Sequence, residues 1–170
     1  MILYLPENFD ENEWFILASM VVMIIFLIPI PKRLHFIEVL SLWLFNIFLA
    51  HAVDYSVIGS PINLYYSNDT FKYEVFDFLL YYFLYPSTMY LYCIGLTSRF
   101  IREHWFIYVC FASILTTGIE KIAHLINVFT YINWSTWYSL LAYIVIYMIN
   151  VGFYIFISKQ VTTIKSVKKM

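Results

Sequence analysis

Charge is what this sequence has least of. Asp, Glu, Lys and Arg make up 12% of the 170 residues, apolar residues 62%, and mean hydropathy is +0.75. A soluble domain is closer to half apolar and a quarter charged. The few charges are bunched between long apolar runs. That excludes one water-soluble core under a charged surface and gives a polytopic membrane protein. Cysteine is as scarce. Cys93 and Cys110 both lie inside apolar runs, so two buried thiols are expected and no disulfide framework. No Cys/His metal spacing occurs. Also missing are H-E-x-x-H, G-x-S-x-G and a Gly-rich phosphate loop. The sequence therefore nominates no catalytic nucleophile and no cofactor, and it offers no basic face for nucleic acid. The acidic start "MILYLPENFDENEW" lacks a Lys/Arg n-region, so the first apolar run is read as a span rather than a cleaved signal.

What is present is a series of apolar segments, each near the roughly 20 residues that cross a bilayer. They run over 14–30, 36–58, 75–97, 105–126 and 137–157. The expected fold is an all-α integral membrane bundle of five transmembrane helices, a single domain over 1–170. The first span is the shortest and could sit partly in the interface.

Lysine and arginine are retained on the cytoplasmic side. Lys32 and Arg33 follow span 1, Arg99 and Arg102 follow span 3, and Lys159, Lys165, Lys168 and Lys169 follow span 5. These eight of the ten basic residues share one face, which puts the C-terminus in the cytoplasm; Lys72 falls in the opposite loop and Lys121 in span 4. The acidic residues Glu7, Asp10, Glu11, Glu13, Asp69 and Glu74 share the other, with the N-terminus outside. Trp14, Trp105, Trp134 and Trp137 sit near span ends, where indole favours the headgroup layer. The sequons at Asn68 and Asn133 fall in outer loops.

The ionisable residues within spans share a level. His51 and Asp54 lie in the outer half of span 2, Asp77 near the outer end of span 3, and Glu120, Lys121 and His124 in the outer half of span 4. Glu38, near the inner end of span 2, is the exception. Ser113, Thr117, Glu120, His124 and Asn127 follow helical spacing as one stripe, with Lys121 about 100° from Glu120. Glu120 and His124, one turn apart, are suited to pair. Asp77, Tyr81, Thr88 and Tyr92 form a second stripe in span 3. A charge facing lipid costs about 2.5–3.5 kcal/mol at mid-depth, so both stripes must face helices or water.

Two uses of this cluster remain open: a hydrogen-bonded lock between spans 2, 3 and 4, or a site for a proton, cation or small ligand. His51, Asp54, Glu120 and His124 are ligand types for Zn, Mn or Fe. Their spacings are too common to assign a metal, and none is assigned. Asn46 and Asn150 are expected to hydrogen-bond between helices. Pro86 should bend span 3 and free a carbonyl near Tyr82. His35 and His104 are flank residues.

The stretches "YEVFDFLLYYFLYPSTMYLY" and "GIEKIAHLINVFTYINWSTWYSLLAYIV" carry Glu74, Asp77, Pro86, Glu120 and "VFTYINW". In these features the chain resembles small multi-spanning membrane proteins, with no assigned activity, from Bacillus-type spore-forming bacteria. The resemblance implies a bacterial plasma membrane, where the sequons have no use, and transfers no catalytic residue. It makes "VFTYINW" an outer-face element beside the polar cluster. The expected function is a multi-pass membrane protein whose cluster serves packing, a partner or a small ligand. Proton- or cation-coupled transport is the alternative, and a lipid-acting enzyme the second alternative. Expected partners are the lipid bilayer and another membrane protein or a second copy.

Overall fold

The computed structural model describes residues 3–6, 8–30, 33–58, 63–68 and 72–167, with side chains to 163. Lys32, Glu7, Asp69, Lys168 and Lys169 lie outside the described residues, as does the side chain of Lys165.

The described chain is mostly helical, as expected: α1 (Glu11–Leu27), α2 (Phe36–Ile58), α3 (Val75–Leu79), α4 (Tyr85–Gly95), α5 (Arg99–Glu103), α6 (Trp105–Leu125) and α7 (Thr136–Val167). Three of these, α2, α6 and α7, are long and apolar enough to cross a membrane. The stretch expected as span 3 is not one regular helix. α3 passes through a π-helical turn, Leu80–Leu84, into α4, and Pro86 sits in the first turn of α4. A ring without an N–H releases the carbonyl one turn back. That carbonyl, on Tyr82, accepts the Trp43 indole N–H at 3.1 Å.

Polarity is turned inside out. Val21, Ile25 and Phe26 on α1, Leu44 and Phe48 on α2, Ile107, Phe111 and Ile114 on α6 and Leu141 and Val145 on α7 are exposed, while Asn12, Glu13, Asn46, Asp77, Ser113, Ser139 and Asn150 are buried. Water would reverse that arrangement; lipid favours it. Trp14, Trp105 and Trp137, at helix ends, are exposed.

Packing falls into two regions. Around the ends carrying Arg33, Arg99 and Lys159, the core is built on Leu42, Met89, Tyr92, Cys93, Val109, Tyr147 and Val151. Within it Asn46 Nδ2 donates to Asn150 Oδ1 at 2.8 Å, joining α2 to α7 as expected. Tyr92 stacks flat on Tyr108, close to Gly95, where a β-carbon would collide with the Tyr108 hydroxyl. Cys93 and Cys110 are free thiols. Glu38 is a helix cap: its Oε2 accepts the His35 N–H at 2.6 Å, while His35 Nδ1 accepts the Ile37 N–H at 3.3 Å, satisfying donors of the first turn.

At the opposite end a smaller core gathers Ile16, Phe76, Leu80, Leu84, Ala123 and Val128. Here the structure adds something to a helical fold. β1 (Tyr65–Ser67) pairs antiparallel with β2 (Phe129–Tyr131), with Tyr65 opposite Tyr131. The "VFTYINW" element is therefore a strand laid across the helix ends.

Candidate functional site

Asp54, Asp77 and Glu120 come together beneath this ribbon, each met by donors from more than one element. Asp54, four residues from the end of α2, accepts from the hydroxyls of Tyr65 on β1 and Tyr81 in the π turn. Asp77 Oδ1 accepts from Ser67 Oγ at 2.5 Å and from Asn68 Nδ2 at 2.8 Å. Its Oδ2 accepts the Glu74 N–H at 2.8 Å, and Glu74 reciprocates in a capping box that starts α3. Glu120 accepts from the Tyr131 hydroxyl on β2 and from Ser139 Oγ of α7 at 2.6 Å. Ser139 in turn accepts the Trp134 indole N–H at 2.7 Å, and Tyr143 also bonds to Glu120.

The carboxylates feel one another. Asp54 lies within electrostatic reach of Glu120, and Asp77 of Asp54. Tyr85, half-buried in α4, lies within reach of all three. Burial, and then Asp54 beside it, raise the Tyr65 hydroxyl well above its ordinary range. Burial, and then the bond to Glu120, raise Tyr131. Both stay neutral donors.

The expected cations are elsewhere. Lys121 is exposed, on a different face from Glu120. The expected Glu120–His124 pair does not form. His124 Nδ1 meets the Phe129 carbonyl at 2.7 Å, and since a carbonyl only accepts, Nδ1 carries the proton. The His124 ring stacks on Tyr131 at 4.0 Å, so it buttresses the tyrosine that serves Glu120. His51 does not bond Asp54. Its ring abuts Tyr81 at 4.5 Å and Tyr82 at 5.5 Å, and its Nε2 is buried without a hydrogen bond. Among the described residues, no three His, Cys, Asp or Glu side chains are placed to hold a metal.

Both polar stripes divide. Ser113 and Thr117 bond back to helix carbonyls. Asn127, at φ 59°, ends α6: the N–H groups of Val128 and Asn127 return to Ala123 and His124 carbonyls at 2.9 and 3.3 Å, a Schellman closure. Asp77 and Tyr81 join the cluster, while Tyr92 belongs to the other core. Asn68, the first sequon, is 2% exposed with its amide nitrogen on Asp77, which leaves no room for a glycan there.

The donors Tyr65, Tyr131, Ser67 and Ser139 carry no helical spacing. One signal does exist. Tyr65 follows Asp54 by 11 residues, and Tyr131 follows Glu120 by the same 11. Each time an ascending helix carries the acid, the chain turns back as a strand, and a strand tyrosine returns to that acid. The next helix supplies a further hydroxyl, Tyr81 or Ser139. No internal repeat is visible in the sequence, yet one helix–strand–helix device is built twice and joined at Tyr65 and Tyr131. No family model matches the chain, and no curated protein or solved structure matches it.

Proposed function

We propose that the chain is a five-span protein of a bacterial plasma membrane, N-terminus outside and C-terminus cytoplasmic. Its carboxylate–tyrosine cluster fastens an outer cap to the bundle and forms the contact layer for a partner or small ligand. The carrying observation is the cross-strand pair: Tyr65 and Tyr131 face each other in register while each donates to an acid of a different helix. Placement in a Bacillus-type membrane rests on the resemblance over 73–92 and 118–145. The orientation rests on Arg33, Arg99, Arg102 and Lys159 lying at one end and the three carboxylates at the other.

Proton- or cation-coupled transport is the second reading. It is favoured by acids that repel one another with neutral hydroxyls around them. The test is Asp54→Asn with Glu120→Gln in liposomes. A lock predicts lower thermal stability with unchanged proton leak; a flux altered at equal folding assigns transport. In a background without native cysteines, an impermeant thiol reagent on whole cells should label Asn133→Cys, which is exposed, and spare exposed His104→Cys.

A further inference from the structure

The basic end carries a groove that the cluster does not explain. Its volume is about 690 Å³. Arg102 of α5 forms one wall, and one face of α7 forms the other, with Tyr154, Ile155, Ser158, Lys159 and Thr162 lining it. These α7 positions recur at four-residue intervals, so they stack along one side of the helix. Along that side apolar Ile155 gives way to polar Ser158, Lys159 and Thr162.

Depth follows from helix geometry. Trp137 marks one interface by its exposed indole at the start of α7. At 1.5 Å per residue, Ser158 lies about 32 Å farther along, close to the roughly 30 Å of a hydrocarbon core. Ser158 and Lys159 therefore stand at headgroup level at the other interface. Below them, exposed Phe156 and Ile155 offer an apolar track.

The charges are available. Arg99 is neutralised by Glu103 at 2.8 Å. Among the described residues, neither Arg102 nor Lys159 forms a salt bridge. Glu38, the buried acid of this end, accepts the His35 N–H and also lies within electrostatic reach of Tyr154 in the groove wall, where the two cations outnumber it. Two cations thus face one groove from two elements, with hydroxyls between them and apolar surface beneath. Basic pockets between spans on the cytoplasmic side suit anionic headgroups.

We infer that this groove binds an anionic glycerophospholipid, its phosphate between Arg102 and Lys159 and an acyl chain along Ile155 and Phe156. The inference rests on the membrane reading above, not on the role of the carboxylate cluster.

The test is thermal unfolding of the full chain in a neutral detergent, with phosphatidylglycerol, phosphatidylcholine or inorganic phosphate added. Phosphatidylglycerol should raise Tm by about 5 °C at saturation, and the other two by much less. Arg102→Gln with Lys159→Gln should abolish that difference, while Arg99→Gln, outside the groove, should keep it. An equal shift with phosphatidylcholine or with inorganic phosphate overturns the site, as does an undiminished shift in the double variant. Should the double variant not fold, native mass spectrometry of the unaltered protein from mixed micelles decides it. Preferential retention of phosphatidylglycerol supports the site; equal retention of both lipids sinks it. Thiol labelling that placed the basic end outside would overturn the orientation and leave these lipid results standing, so the two failures are distinguishable.

Discussion

The two ends of the bundle solve one problem differently. Each must bury polar atoms where water is scarce. The basic end relies mainly on neutral pairs, Asn46 with Asn150 and Tyr147 with Thr116 at 2.6 Å, and its buried acid, Glu38, serves only to cap its own helix. The acidic end buries carboxylates and surrounds them with tyrosine, serine and amide donors from separate elements. A neutral pair needs two helices and no loop. A carboxylate accepts several bonds, so it recruits loops, and the β1–β2 ribbon exists to supply them. The acidic end is consequently where the bundle is tied to irregular chain.

The largest break in that contrast comes from Asp77→Ala. It strands Ser67, Asn68 and the α3 capping box together, and should cost about 3 kcal/mol in thermal unfolding, since bonds to charged groups are worth about 1.5–3 kcal/mol each. Asp54→Leu should follow at about 2 kcal/mol, with Asp54→Asn, which keeps an acceptor, losing less than half as much. If Asn is as damaging as Leu, the bonds require the ionised carboxylate; if neither change lowers stability, the lock account fails. At the neutral end, Asn150→Ala should cost only about 1 kcal/mol. The double variant with Asn46→Ala should cost little more than either single change; full additivity would mean the pair does not form. Trp43→Phe, which frees the Tyr82 carbonyl, should cost about 0.5 kcal/mol.

Alkaline pH adds a slow discriminator. Tyr65 and Tyr131 have raised values in the folded state. Their unfolded values are near 10. The unfolded chain loses those protons first, so the stability tied to the neutral donors is intact below about pH 10 and falls above it. Tyr65→Phe with Tyr131→Phe should flatten that slope.

The sequence showed the helices because apolar runs are long and charges rare. It showed that Asn46 and Asn150 would bond between helices, though not that they would bond each other, and that the Tyr82 carbonyl would be freed, because an amide in mid-span and a proline in a helix each have few solutions. It also placed Asp54, Asp77 and Glu120 at one level. It misjudged their partners. Histidines one turn away were the obvious choice by spacing, yet the bonds go to tyrosines 11 residues on or in another span. With 16 tyrosines in the chain, no single one stands out, and a ribbon joining segments some 60 residues apart leaves no local pattern. Glu13 and Glu74 read as acidic loop residues, yet both are buried because they cap α1 and α3.

The Tyr65–Tyr131 crossing has a mechanical consequence. α2 and α6 carry their acids independently, but each acid is tied to one strand of the same ribbon. Neither helix end can swing outward without dragging its strand from the other or releasing its tyrosine. The ribbon is thus a tether of fixed length across the mouth of the bundle. Any opening at this end therefore breaks either the β1–β2 pairing or one phenol–carboxylate bond.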